Sequence, residues 1–317
     1  MKKIIQKIEE QIAAGIYPGA SLAIFDQGVW QEFYCGLENP ETGSPVRPGL
    51  VYDLASVSKV VGVGTVLAFM VARGDLDIDQ SLQEYYPDFH DKQVTVRQLL
   101  THTSGLDPYI PNRDRLDAAE LKQALNHLTV LEDKSFRYTD VNFLLLGFML
   151  EDLYEKSLDA ILEQEIFTPW QMLETSFGPV GQAVPTVRGI AAGTVHDPKA
   201  QVLGVHAGSA GLFSTVKDLE IFLEHYLKDA FAENLTQNFS LETGKTRSLA
   251  WNIEGDWLDH TGYTGTFIML NRKSQQAVIF LSNRTYEKDE RVQWILDRNE
   301  LMEQIKQDLT LKTKHWK

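Results

Sequence analysis

The chain has 317 residues, of which 43% are hydrophobic and 23% charged, and its formal net charge is −14. That composition excludes collagen-like, coiled-coil and wholly disordered classes, and the length suits about two domains, or one with an insertion, around a core needing no disulfide or metal staple. The acidic balance repels phosphate backbones and anionic membranes, so the expected partner is a small-molecule substrate, with neither nucleic acid nor membrane.

Ile4, Ile5, Ile8 and Ile12 recur at helical spacing, with Gly15 as a stop. Gln6, Lys7, Glu9 and Glu10 interrupt the apolar run, so no signal-peptide core is read and a cytoplasmic protein is expected. Residues 19–25 and 29–34 read as a β-hairpin around Asp26-Gln27-Gly28, and 39–48 as a loop. Cys35 lies in this region and, as the single cysteine, can form no internal disulfide. Helices are expected over 57–71, ending near Gly74, and over 96–100, 118–128, 141–153, 158–166 and 219–226. The apolar stretch 60–72 contains Gly62 and Gly64 and reads as too short to span a bilayer. Residues 178–211 read as loop-rich. Strands are expected at 248–253, 266–270 and 276–281, followed by an amphipathic helix from Val292 to Leu309 and a solvated tail with Lys312, Lys314, Trp316 and Lys317. The order predicts an α+β fold. Residues 1–55 and 215–317 would form an antiparallel sheet flanked by terminal helices, 56–214 an inserted, mostly helical lobe, and the active site would lie at their junction.

The most unusual local feature is Ser56-Val57-Ser58-Lys59. Lys59 is the only charge between Asp53 and Arg73, and burial in such a run would favour the neutral, proton-accepting amine. Three residues apart on a helix, Ser56 and Lys59 share a face, and the first helical turn offers free N–H groups for an oxyanion. Nucleophilic catalysis needs such a pair, although a helix cap with a snorkelling lysine has the same spacing. Tyr138 precedes an apolar helix for which Thr139 or Asp140 is a natural N-cap; it is either a packed ring or a proton shuttle with Lys59. His260-Thr261-Gly262-Tyr263-Thr264-Gly265-Thr266 reads as the opening of a strand that a ligand can approach closely, or as a bulged edge.

Together these three segments resemble the serine β-lactamase and penicillin-binding protein superfamily, in particular its branch of class C β-lactamases, D-alanyl-D-alanine carboxypeptidases and related esterases. The segments 94–106, 195–198, 211–215 and 281–284 are similar to the family in the same order, so the resemblance covers nearly the whole chain. It implies the β-lactamase/transpeptidase-like fold and no cofactor or metal. It also implies roles: Ser56 as the acylated nucleophile, Lys59 as base, alone or with Tyr138, and Tyr138 as proton donor to the leaving group. The backbone N–H groups of Ser56 and Tyr263 would form the oxyanion hole. Asp140, His260, Thr261 and Gly262 would contact substrate.

Two departures stand out. Asp140 stands where the class C enzymes it resembles carry asparagine, and a carboxylate there would raise the pKa of Lys59 and repel an anionic substrate. His260 stands where many members of the family it resembles have lysine, so a substrate carboxylate loses a fixed partner, and acid that charges His260 should improve anionic binding. Ester or amide hydrolysis is therefore expected to exceed β-lactam hydrolysis. The alternatives are a D-alanyl-D-alanine carboxypeptidase or penicillin-binding protein, or a β-lactam sensor without turnover. A further rival is an α/β-hydrolase with Ser209 in Ala207-Gly208-Ser209-Ala210-Gly211, Asp256 and His260. There is no H-E-x-x-H, and His102, His196 and His206 read as structural residues.

Overall fold

Strand β1 (Gly19–Asp26) and β2 (Val29–Asn39) form the expected antiparallel hairpin, with Gly19 opposite Gly36 and Asp26 opposite Val29. The computed structural model describes residues 1–314, so the reading of Trp316 and Lys317 as tail lies outside the described residues. The remaining strands are β3 (Ser44–Pro45), β4 (Tyr52–Asp53), β5 (Ser176–Phe177), β6 (Leu212–Ser214), β7 (Asn252–Glu254), β8 (Trp257–Thr261), β9 (Phe267–Asn271) and β10 (Gln276–Ser282). Seven make one antiparallel sheet in the order β3-β2-β1-β10-β9-β8-β7, and β4-β6-β5 make a small second sheet.

The central strands read as unbroken apolar runs because both faces of the sheet are covered. Phe267 and Met269 point to one core, with Phe280, Trp294 and Leu301; Ile268 and Leu270 point to the other, with Ile279 and Phe222. The first core lies under α1 (Lys2–Ala13), which buries Ile4 and Ile8 against the sheet and the C-terminal helix. The second continues into the helical region. It contains α2 (Thr65–Arg73) and α3 (Val141–Tyr154), whose residues 141–150 are all buried, as befits a helix apolar all round. Helix α4 (Val216–Lys228) packs on β10, β1 and β9, and α5 (Arg291–Lys314) closes the chain.

Three expectations are corrected. The helical run Ala55–Arg73 spans 19 residues with mean hydropathy 1.8, long and apolar enough to cross a membrane, but 78% of its apolar window is buried inside the protein. Gly62 and Gly64 do not break it. A Cβ on Gly62 would meet Leu162, and one on Gly64 would lie 2.7 Å from the Ala250 side chain, so both glycines admit close neighbours. Residues 248–251 are not strand: Ala250 has φ +71° and Ser248 N–H donates to the Trp251 carbonyl at 3.0 Å, a tight turn before β7. His260 and Thr261 end β8 instead of opening a strand, because Gly262 N–H turns back to the Thr266 carbonyl at 2.7 Å. Inside the loop-rich segment a short helix, Pro198–Leu203, starts from Asp197, whose carboxylate accepts Ala200 N–H with proline at the first turn.

Candidate active site

Strand β4 delivers the chain into a 3₁₀ turn, Ala55–Val57, then a π-helical turn, Val60–Gly64, that runs into α2. Ala55 has φ +46°, a left-handed conformation that costs a non-glycine residue about 1 kcal/mol. The surroundings enforce it. The buried Asp53 carboxylate accepts Ala55 N–H and His196 N–H, both at 2.8 Å, so it clamps the turn to the loop before Pro198. Ser56 N–H precedes the first bond of that turn, Val57 N–H to the Leu54 carbonyl, and has no helical acceptor of its own. Burial raises the pKa of Asp53 to about 6 despite the two N–H donors. The folded state therefore holds this proton more tightly than the unfolded chain. The stabilisation is full below the ordinary carboxylate range of about 4 and is lost as pH rises through about 6. A carboxyl-carbon NMR titration of Asp53 should show its midpoint near 6; a midpoint near 4 would contradict the clamp's burial.

Lys59 is fully buried, and each of its three hydrogens has an acceptor: Ser56 Oγ at 2.8 Å, Asp140 Oδ1 at 2.8 Å and the Ser209 carbonyl at 2.9 Å. Burial favours the neutral amine, as expected from the apolar run, but Asp140 and the Tyr138 phenol outweigh it and the pKa lies above the ordinary lysine range. At rest Lys59 is an ammonium. Two of its partners only accept hydrogen bonds, and Ser56 alone can donate. Loss of one proton would leave two N–H groups on Asp140 and Ser209 and aim the lone pair at the Ser56 hydroxyl.

Asp140 precedes α3 yet makes no capping bond to it. Forgoing a cap costs about 1 kcal/mol, and the carboxylate instead bridges two lysines. Lys199, which sequence reasoning missed, sits 3.1 Å from Asp140 Oδ2 and 3.5 Å from Asp197. Burial opposes the charge on Asp140, but the two ammonium groups hold its pKa far below the usual carboxylate range. The repulsion of anionic substrates expected from Asp140 is thus offset by a second cation. The only local signal for Lys199 was the Asp197-Pro198 helix start that carries it.

Tyr138 is 41% exposed, and its ring centre lies 5.2 Å from Lys59 Nζ. His102, at φ +57°, brackets the tyrosine. Its carbonyl accepts Arg137 N–H at 2.9 Å, its Nδ1 accepts from Asn142 at 2.9 Å, and its ring packs 4.5 Å from that of Tyr138. The His260 ring lies 6.2 Å from that of Tyr138, and His260 is 2% exposed. Burial, with Lys59 and Arg247 nearby, holds its pKa well below the ordinary histidine value. The expectation that mild acid charges His260 is therefore corrected: it stays neutral.

Ser56, Tyr138, Asp140, His196, Lys199 and Tyr263 line one cleft of about 640 Å³. Thr261 faces a different cleft, between β8 and the C-terminal helix, where its hydroxyl accepts from Arg298 at 3.1 Å. Gly262 packs on the Ser56 turn, and the hydroxyls of Thr264 and Thr266 donate to the Asp53 and Leu54 carbonyls at 2.8 and 3.0 Å, which ties the Tyr263 loop to the Ser56 turn. The α/β-hydrolase rival fails on geometry. Ser209 is fully buried, Asp256 pairs with Lys273 on the surface, and His260 is shielded by its neighbours. His206 pairs with Glu151, and the His196 ring packs against Tyr263.

Comparison with known proteins agrees with this architecture. The family described as Beta-lactamase matches residues 4–301. An N-acetylmuramyl-L-alanine amidase of Bacillus subtilis is 26% identical over 90% of this chain and 81% of its own. Among solved structures, a β-lactamase/D-alanine carboxypeptidase of Pseudomonas syringae has a TM-score of 0.74 at 19% identity, covering 93% of this chain and 97% of that one. The hydrolase EstCE1, described as having promiscuous acyltransferase activity, has a TM-score of 0.75 at 16% identity, covering 95% and 97%. With the family match spanning almost the entire sequence and the fold shared throughout, this chain belongs to the β-lactamase family of serine acyl hydrolases.

Proposed function

We propose that the protein hydrolyses small esters or amides through an acyl-enzyme on Ser56, with Lys59 and Tyr138 moving the proton. The observation that carries this reading is the fully buried Lys59 amine, 2.8 Å from the Ser56 hydroxyl at the wall of an open cleft. In the acylation step the Ser56 O–H bond breaks, Oγ bonds to the substrate carbonyl carbon, and the bond to the leaving group breaks. The proton passes through Lys59 or Tyr138 to the leaving atom. Water then reverses the sequence and releases the acid. Ser56 and Tyr263 N–H groups would hold the oxyanion. Tyr138 is the natural relay while Lys59 is an ammonium, and the cation beside Oγ stabilises the developing alkoxide.

The preference for an ester over a β-lactam is supported by His260, which is buried and neutral and so offers a substrate carboxylate no fixed charge. The carboxypeptidase reading rests on relatives alone. Turnover of p-nitrophenyl butyrate should exceed that of nitrocefin, with one butyryl group on Ser56 in intact-mass spectra under single turnover. Faster nitrocefin turnover would overturn the preference. Permanent labelling without release would support the sensor, and no label at Ser56 would overturn the mechanism.

A further inference from the structure

We propose that Lys199 is a positioning residue that competes with Lys59 for Asp140 and so loosens the hold of that carboxylate on the Lys59 ammonium. This rests on Ser56 being the acylated residue. Asp140 offers one oxygen to each lysine, Oδ1 to Lys59 at 2.8 Å and Oδ2 to Lys199 at 3.1 Å. Among the described residues no other cation forms an ion pair with it. With a single lysine partner, Asp140 would bind the Lys59 ammonium undivided and oppose its deprotonation. A second ammonium on the far oxygen divides that attraction and adds like-charge repulsion across the carboxylate. Lys199 is in turn held by Asp197 at 3.5 Å, and its side chain is only 13% exposed, so its place is defined.

The charged and titratable groups around this chain of four come from every neighbouring element. Tyr138 lies beside Lys59. His196, Tyr263, Arg113 and Arg291 share the cleft with Lys199. His102, His260 and Arg247 act on the site from behind. The Lys59 pKa already lies above the ordinary range with Lys199 present, so loss of Lys199 pushes it further up.

The test is the pH dependence of kcat/KM for p-nitrophenyl butyrate, which reports the free enzyme's titrating groups. Rates are normalised to the fraction of protein that takes one acyl group at Ser56. Lys199→Met should move the rising limb to higher pH by about one pH unit and lower the rate at pH 7 about tenfold. Lys199→Arg should stay close to wild type. Asp197→Asn keeps an acceptor for the Ala200 N–H but frees the Lys199 charge, and should move the limb the other way. Opposite displacements in the two variants establish the role. Superimposable profiles, or displacements of the same sign in Lys199→Met and Asp197→Asn, overturn it, since a merely structural lysine would lower the rate in both. If Lys199→Met does not fold, the sign of the Asp197→Asn displacement decides. Wild-type protein that takes no acyl group at Ser56 would instead overturn the reading beneath.

Discussion

Lys59→Met should reduce kcat/KM for any ester substrate by about 10³-fold or more, with a thermal transition still present. The loss is large because one side chain serves three functions. It donates to Ser56 Oγ, it fixes Asp140, and it anchors the Ser209 carbonyl behind the nucleophile. Methionine fills similar space but can neither accept the Ser56 proton nor stabilise an alkoxide. Removing one partner of a buried ion pair costs about 3–5 kcal/mol when the other charge is stranded. Here Lys199 still holds Asp140, so the loss should fall below that range. Adding Asp140→Asn to Lys59→Met should recover stability and leave activity lost. Activity within tenfold of wild type in Lys59→Met would remove Lys59 from the chemistry.

Gly262→Ala should have the second largest effect, and by a different physical route. A Cβ at this position would lie 2.1 Å from Thr266 Oγ1 and 2.5 Å from the Leu54 carbonyl. The Leu54 oxygen belongs to the backbone that leads into Ser56, so it cannot rotate away. The Tyr263 loop and the Ser56 turn must separate, and they carry the two N–H groups proposed for the oxyanion. A displacement on the order of 1 Å at such donors costs about 10²-fold in rate. The Thr264 and Thr266 bonds to the same turn weaken together, so the thermal midpoint should drop as well. The informative split is kinetic: kcat should fall much more than KM rises. Wild-type kcat in Gly262→Ala would show that the two N–H groups do not act as a pair.

The parts of the site legible in the sequence are those set by local geometry. Ser56 and Lys59 meet because residues three apart share a helix face, whether the turns between them are 3₁₀, α or π. Tyr138 was legible as the residue before an apolar helix, but the His102 carbonyl and ring that bracket it come from a turn far back in the chain. The left-handed Ala55 was invisible, because alanine carries no signal for positive φ and the clamp that imposes it is a distant pairing of Asp53 with His196 N–H. The Ser248 region was misread as strand because its apolar residues are buried without alternating along a sheet.

Charge was the least legible property. In the sequence Asp140 reads as raising the pKa of Lys59 against the effect of burial, with no second cation in view. In the fold each holds the other's charge, and Lys199 adds a second cation to Asp140.

By itself the sequence determined the order of helices and strands along the chain and the spacing of nucleophile and amine, because periodicity and short-range sterics act within a few residues. Only the tertiary structure decided the protonation state of Lys59, the neutral burial of His260 and the recruitment of Lys199. Electrostatic energies inside a protein depend on ångström-scale distances between groups that the chain order leaves far apart.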